Sequence, residues 1–158
     1  MKLTEIIKTD AVIPSLDATN RDAVLTELVD ALIAAGAADA SVRDELIQKI
    51  LAREERGSTG FGQGVAVPHV KHAAITGMAG AIGISSSGVD FNALDKQPVY
   101  SVVLLLSPED KPEEHLQAME VIFKNLSKDA FRRGLRSAGG VEEVSALLSE
   151  ADAHSLGG

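Results

Sequence analysis

Four histidines are the side chains of this 158-residue chain best suited to chemistry near neutral pH, and they stand at positions 69, 72, 115 and 154. An imidazole has an unperturbed pKa of about 6.5, so much of it is neutral and nucleophilic at pH 7. His69 follows Pro68 and the apolar run 65–67, which predicts a short buried strand. Because proline has no N–H to donate, it should end that strand. We therefore interpret His69 as a nucleophile presented where a strand ends.

A glycine-rich segment leads into His69, with glycines at the alternate positions Gly60, Gly62 and Gly64. Glycine adopts backbone conformations that other residues avoid, so the segment predicts a loop. Backbone N–H groups in such a loop, together with the hydroxyls of Ser58 and Thr59, could bind the three equatorial oxygens of a phosphoryl group. The alternative is that the glycines only permit a tight turn. The segment has neither a P-loop ending nor dinucleotide-binding spacing, so we expect no ATP or NAD cofactor.

His115 and Arg53 are two further candidates that the pattern leaves open. His115 lies in the first turn and on the apolar face of a helix predicted from Pro112 to about Lys128, where an imidazole stays neutral or binds an anion. It could equally be a core histidine bonded to a carbonyl. Arg53 falls on the apolar stripe of a helix predicted from Ser41 to about Arg56, where it needs an anion or carbonyl partner. Alternatively, it is a solvated arginine that complements the helix dipole.

A metal site is not expected. His72 lies three residues after His69, but a His-x-x-His pair without a nearby carboxylate is a weak metal signal, and a bound metal would occupy the nucleophile's lone pair. The chain has no cysteine, which excludes thiolate chemistry and cysteine-based zinc sites. His154, near the C-terminus, receives no role.

The charge balance argues against nucleic-acid binding. The chain carries 23 acidic and 15 basic side chains, a formal net charge of −8, whereas generic binding to phosphates needs a basic surface. An acidic surface suits a basic protein partner or simply solubility. The sequence has neither a signal-peptide pattern at its start nor a run of about 18 apolar residues, so we expect a cytoplasmic protein without membrane insertion.

The order of predicted elements indicates a mixed sheet with helices on both faces. The nearly unbroken apolar run 99–106 predicts a central strand covered on both sides. Other strands are predicted at 11–14, 65–67 and 79–84, with a turn at 85–88, and helices are predicted to begin at Thr19 or Asn20, Ser41, Pro112, Asp129 and Val141. We expect one domain over residues 1–150 and a flexible tail over residues 151–158.

The segment Phe61–His69, which reads Phe-Gly-Gln-Gly-Val-Ala-Val-Pro-His, resembles the active-site signature of the mannitol/fructose-type enzyme IIA domains of the bacterial phosphotransferase system. That family includes the nitrogen-regulatory enzyme IIA proteins. Glu54, seven residues before Phe61, also fits the signature. One departure is Val70, because the residue after the histidine is usually small. The resemblance covers nearly the whole chain and implies a three-layer α/β/α sandwich with a mixed central sheet.

The function implied by this resemblance is that of a phosphocarrier, a protein-histidine phosphotransferase. His69 would accept a phosphoryl group from the phosphocarrier HPr and pass it to an enzyme IIB in sugar uptake. His115 would orient the phosphoryl site, and Arg53 would hold the phosphate or the loop. A regulatory module, whose phosphorylation state controls a kinase or transporter, is the alternative. A structural domain that has lost phosphotransfer is a third reading, which only Val70 favours.

The expected partners are HPr and either an enzyme IIB or a regulated kinase or transporter. Glu113 and Glu114 could meet a basic HPr, but acidic residues in a first helical turn are already explained by the helix dipole. We instead expect partners to contact an apolar rim around His69 that includes Phe61, Val70 and Ile75.

Overall fold

The structure is a computed structural model that describes residues 1–157. Within that range the helices are α1 Leu3–Ile6, α2 Arg21–Ala34, α3 Arg43–Arg56, α4 Pro112–Leu126, α5 Asp129–Ser137 and α6 Val141–Gly157. The strands are β1 Ile7–Ile13, β2 Gly60–Gly62, β3 Val65–Ala66, β4 His69–His72, β5 Ala79–Val89 and β6 Val99–Pro108. No helix of this part of the chain combines the length and hydropathy that a membrane span requires.

Strand β6 is the centre of the sheet. It pairs antiparallel with β5 on one side and parallel with β3 and β4 on the other. Strand β1 lies parallel to β5, and β2 lies antiparallel to β3. The strand order is therefore β1-β5-β6-β3-β2, with β4 following β3 along the same edge of β6. The predictions of a mixed sheet and of a central strand at 99–106 are confirmed.

Alternate side chains of β6 enter two separate cores, as the two-residue period of a strand requires. Val102, Leu104 and Leu106 pack with apolar residues of α2 and α3. Val103 and Leu105 pack on the opposite face with residues of α1, α4, α5 and α6. Helices thus cover both faces of the sheet, and the predicted three-layer α/β/α sandwich is confirmed.

The predicted helix cap at Asn20 is correct, whereas the helix start predicted at Ser41 is wrong. Asn20 caps α2, because its side-chain oxygen accepts the N–H of Ala23 at 2.9 Å. Ser41 does not cap α3. The carboxylate of Asp39 instead accepts the N–H of Ser41 at 2.9 Å, and residues 40–42 form a 3₁₀ turn before α3 begins at Arg43. The acidic cap two residues upstream therefore determines where this helical segment starts.

The predicted turn at 85–88 is also wrong, because β5 continues through it to Val89. The pairing with β6 shifts register between Ile84 and Val89. Gly88 has a φ of +86°, and its N–H donates to Ser85 Oγ at 3.0 Å. The strand accommodates the polar stretch as a local irregularity of the ladder instead of reversing direction.

The C-terminal part of the chain is tied to the N-terminal part. Asp152, which is buried in α6, accepts hydrogen bonds from the backbone N–H of Leu3 at 2.8 Å and from the Thr4 hydroxyl at 2.7 Å. These donors belong to the first turn of α1, where a carboxylate is favoured. The prediction that a flexible tail begins at residue 151 is therefore wrong for Ala151 and Asp152, which belong to α6. Gly158 lies outside the described residues.

Candidate active site

His69 lies on the same edge of β6 as the short strand that precedes it. Val65 pairs with Ser101 and His69 pairs with Leu105, so β3 and β4 follow β6 in one register. Pro68 interrupts the ladder because it has no N–H, while its carbonyl accepts the N–H of Leu105 at 3.0 Å. The first strand ends before Pro68, as predicted, but His69 begins a second strand, β4, which the sequence pattern did not predict.

The backbone fixes the tautomer of His69. Its Nδ1 lies 2.9 Å from the carbonyl oxygen of Val67. Because a carbonyl oxygen can only accept, Nδ1 carries the proton and donates it. The lone pair of the neutral ring is therefore on Nε2. His69 is half-buried, so the ring is held by its surroundings while part of it stays accessible.

His115 is the side chain that the fold brings next to His69. The two ring centres are 5.4 Å apart, and the ring planes are inclined by 52°. Pro112 begins α4 and places His115 in its first turn, where it is buried. Burial, reinforced by the electrostatic effect of His69 and of Lys71, lowers the pKa of His115 to about 4. His115 is therefore neutral at pH 7.

This lowered pKa predicts a pH-dependent stability. Between about pH 6.5 and about pH 4 the unfolded chain binds a proton at position 115 that the folded chain does not bind. The free energy of unfolding should therefore be highest above this window and fall as the pH drops through it, by about 3 kcal/mol from this group. Urea unfolding of the wild type and of His115→Gln across this pH range measures the difference.

His115→Gln keeps a polar side chain but removes the titration, so the free energy of unfolding of the variant should fall less steeply with decreasing pH. All other side chains are the same in the two proteins, so the comparison isolates the effect of position 115. Parallel pH profiles of the two proteins would contradict the prediction.

The glycine segment before His69 is a tight hairpin. Strands β2 and β3 are antiparallel, and they are joined by Gln63 at φ +60° and Gly64 at φ +79°. Positive φ at both central positions is the pattern of a type I′ turn, which matches the twist of the flanking strands. The carbonyl of Gly64 accepts the N–H of Tyr100 at 2.8 Å. The segment is thus a hairpin anchored to the start of β6. The tight-turn alternative is correct, and the predicted loop is wrong.

Glu54 anchors the beginning of the hairpin from the last turn of α3. Its side chain is only 4 % exposed. One carboxylate oxygen accepts the N–H of Thr59 at 3.1 Å, and the other accepts the Thr59 hydroxyl. Both oxygens of this buried carboxylate are therefore used inside the protein, and the hydroxyl of Thr59 is committed to Glu54.

Ser58 is likewise engaged within the fold. Its hydroxyl donates to the carbonyl oxygen of Phe91 at 2.6 Å and accepts the N–H of Gly60 at 2.9 Å. Binding of a phosphoryl group by these donors would therefore require their present hydrogen bonds to be exchanged. The assignment of a phosphate-binding role to this segment stays a prediction for Ser58, Thr59, Gly60, Gly62 and Gly64.

Asp95 holds the turn of the hairpin from outside. Its carboxylate accepts the N–H of Gln63 at 3.0 Å and that of Gln97 at 3.1 Å. These two hydrogen bonds, the one from Gln63 first, lower the pKa of Asp95. The turn is therefore fixed by an ionised side chain that the motif does not contain.

Arg53 finds a partner in its own helix end. It is half-buried, and its Nη1 donates to the carbonyl oxygen of Gly57 at 2.7 Å. A carbonyl partner was one of the possibilities that its position left open. Arg53 thus supports the start of the segment that leads to His69, and its contact with a phosphoryl group stays a prediction.

Two side chains near the paired histidines are missing from the sequence interpretation. Lys71 lies two residues after His69, so both side chains are on the same face of β4, and its charge contributes to the lowered pKa of His115. Strand alternation could have identified it, had β4 been predicted. Ser107, at the end of β6, has its Oγ 2.7 Å from Nδ1 of His115. Nothing in the sequence pattern indicates that contact.

The predicted apolar rim is partly wrong. Val70 and Ile75 are buried in the core between the sheet and the α2–α3 layer. Val70 is buried because it points to the face of β4 opposite His69. Phe61 does remain half-buried, and its ring centre is 4.8 Å from that of Phe123. On α4, Leu116 is 63 % exposed and Phe123 is 38 % exposed. We call Phe61, Leu116 and Phe123 the apolar patch.

His72 has a structural environment. It is buried, its Nδ1 accepts the N–H of Ala74 at 2.9 Å, and its Nε2 lies 3.0 Å from a carboxylate oxygen of Glu45. It therefore has the carboxylate neighbour that the sequence did not indicate. Among the residues that the structure describes, no three His, Asp or Glu side chains converge as a metal site would require.

Known proteins are similar to this chain in both sequence and fold. The family model described as "Phosphoenolpyruvate-dependent sugar phosphotransferase system, EIIA 2" matches residues 5–151. The fructose-specific EIIABC component of Bacillus subtilis is 30% identical over 152 residues, which are 96% of this chain but only 24% of that protein. The nitrogen regulatory protein of Bradyrhizobium diazoefficiens is 30% identical over 151 residues, 94% of this chain and 95% of that protein.

Among solved structures, the nitrogen regulatory protein IIA-Ntr of Neisseria meningitidis superposes with a TM-score of 0.82 at 30% identity. The match covers 91% of this chain and 97% of that one. The family match spans the hairpin, both histidines and every strand of the sheet. The chain therefore belongs to the EIIA 2 family of the phosphoenolpyruvate-dependent sugar phosphotransferase system.

Proposed function

We propose that this chain is a phosphocarrier whose His69 accepts a phosphoryl group from phospho-HPr and passes it to an enzyme IIB. The observation that carries the proposal is the hydrogen bond from Nδ1 of His69 to the Val67 carbonyl, which leaves the lone pair on Nε2. In the transfer, the bond between phosphorus and the donor atom breaks as a bond from Nε2 to phosphorus forms. When the phosphoryl group passes to a downstream acceptor, the bond between Nε2 and phosphorus breaks as the bond from the acceptor atom to phosphorus forms.

Charges around His69 support this chemistry. Phosphoryl transfer depends chiefly on alignment and on stabilising charge on three equatorial oxygens. Lys71 lies on the same face of β4 and supplies a positive charge. Neutral His115 supplies an N–H close to His69. Arg53 and the Ser58–Gly64 hairpin are proposed to complete the oxyanion environment when the phosphoryl group is present.

The apolar patch supports a role in docking protein partners. Leu116 directly follows His115, and Phe123 lies two turns further along α4. Exposed aromatic and aliphatic side chains are typical of protein interfaces. We propose that HPr and enzyme IIB cover this patch in turn, in the cytoplasm, while they exchange the phosphoryl group with His69.

The proposal is tested by mixing the purified chain with phospho-HPr that carries a labelled phosphoryl group. The chain should take up one label, and the product should be stable in alkali and labile in acid, as expected for a phosphohistidine. The label should then leave when an enzyme IIB is added. A chain that acquires no label from an HPr known to be active would contradict the proposal.

A second candidate function is regulatory, and one observation favours it. The chain aligns with 95% of the Bradyrhizobium nitrogen regulatory protein. In this function the phosphorylation state of His69 would govern binding to a kinase or transporter. Capture experiments with the wild type and with His69→Asp separate the two functions. State-dependent capture of an identified kinase or transporter favours regulation, and capture of an enzyme IIB favours sugar uptake.

A further inference from the structure

The contact between Ser107 and His115 joins the end of the central strand to the first turn of α4. Ser107 Oγ lies 2.7 Å from Nδ1 of His115. Ser107 is fully buried, and His115 is 4 % exposed. Ser107 also pairs with Lys71 through the sheet ladder, so its backbone in β6 is held against β4, the strand that carries His69. The hydroxyl is thus fixed relative to both histidines.

The direction of this hydrogen bond follows from what each group can do. The serine hydroxyl carries one hydrogen, and among the side chains and backbone groups that the structure describes its only hydrogen-bond partner is Nδ1 of His115. A buried donor left without an acceptor is costly. The hydroxyl therefore donates, Nδ1 accepts, and the single proton of the neutral ring lies on Nε2.

We propose that Ser107 is a positioning residue that holds His115 in the Nε2–H tautomer, so that this N–H donates to the phosphoryl group carried by His69. The inference rests on the proposed function of His69 and adds a residue that neither the motif nor the resemblance contains. With ring centres 5.4 Å apart, His115 is close enough to reach an oxygen of a group bound to its neighbour.

The opposite tautomer would work against the transfer. With the proton on Nδ1, Nε2 of His115 would present a lone pair to negatively charged oxygens and would repel them. The lowered pKa of His115 makes the choice of tautomer important, because a doubly protonated ring would donate from both nitrogens without any help from Ser107. Burial keeps the ring neutral, and Ser107 then decides which nitrogen carries the proton.

The test is nitrogen NMR of the imidazole rings in the unphosphorylated, ¹⁵N-labelled chain at pH 7, compared with the rate of phosphoryl uptake from phospho-HPr. Wild-type His115 should give the pattern of a single Nε2–H tautomer. Ser107→Ala should give a mixture of tautomers and slow phosphoryl uptake about tenfold, less than the complete removal of a preorganised donor would. Ser107→Thr keeps the hydroxyl and should restore both readouts.

Ser101→Ala is the matched control. Ser101 lies on the same strand and is equally buried, but its hydroxyl has no partner among the described residues. This variant should leave the tautomer and the rate unchanged. An Nδ1–H tautomer in the wild type would overturn the proposal even if Ser107→Ala failed to fold, and so would an unchanged tautomer in Ser107→Ala. Because the tautomer is read without phosphate, failure of phosphoryl transfer to wild-type His69 would instead count against the proposed function.

Discussion

A His69→Gln variant is expected to lose phosphoryl uptake from phospho-HPr by at least about a thousandfold, the scale seen when an enzyme loses its nucleophile. The amide of glutamine can still donate to the Val67 carbonyl, which Nδ1 contacts at 2.9 Å in the wild type. The variant should therefore keep the local structure. It has no nitrogen lone pair capable of attacking phosphorus, so only the chemistry is removed.

His154→Gln is the control for this prediction. It makes the same chemical change at an exposed position of α6, where the imidazole is 3.7 Å from a carboxylate oxygen of Glu150. The control should be labelled at the wild-type rate, and the far-UV circular dichroism of all three proteins should agree. Retention of the label in His69→Gln together with its loss in His154→Gln would show that His154, and not His69, accepts the phosphoryl group.

Truncation of Glu54 is expected to give the largest loss of stability among the residues around the site. Glu54→Ala removes the acceptor of two buried hydrogen bonds and leaves the N–H and hydroxyl of Thr59 without their partner. Because each of the two hydrogen bonds to a charged group contributes about 1.5–3 kcal/mol, the free energy of unfolding should fall by about 3–6 kcal/mol. Urea or thermal unfolding measures this change.

Glu55→Ala provides the comparison, since the neighbouring glutamate is exposed. Its substitution should change the free energy of unfolding by no more than about 0.5 kcal/mol. Glu54→Ala should also slow phosphoryl uptake, because the hairpin that precedes His69 loses its anchor. Equal stability of the two variants would show that the buried carboxylate does not hold the hairpin.

The features that the sequence predicts correctly are local in character. The apolar run 99–106 identifies β6 as the central strand because continuous burial on both faces requires it. Asn20 is a cap that contacts a residue only three positions away. The end of the short strand before Pro68 is also predicted correctly, because proline has no N–H to donate and limits the strand locally.

The features that it misses depend on distant parts of the chain or on the exact orientation of a strand. Asp152 is bound to residues 149 and 148 positions earlier, so its sequence neighbourhood alone looks like the beginning of a tail. The outward-facing Lys71 and the buried Val70 can be told apart only when β4 is known to be a strand. Ser107 and His115 are eight residues apart, but they meet because β6 ends where α4 begins.

The contact between Asp95 and the hairpin is another feature that the sequence alone does not predict. The glycines of 60–64 predict backbone freedom, yet the turn is fixed by a carboxylate 32 residues away from Gln63. Conformational permissiveness is visible in a sequence, whereas the partner that removes it is not. The same holds for Glu54, whose burial depends on how α3 packs against the hairpin.

The position of the phosphoryl group can be determined directly by ³¹P and ¹⁵N NMR of the ¹⁵N-labelled chain after phosphorylation by phospho-HPr, with all handling in alkali. We expect one phosphorus nucleus coupled to Nε2 of His69, with Nδ1 of the same ring still protonated and bonded to the Val67 carbonyl. Phosphorus on Nδ1 of His69, on another histidine, or on no histidine at all would contradict the proposed phosphocarrier role of His69.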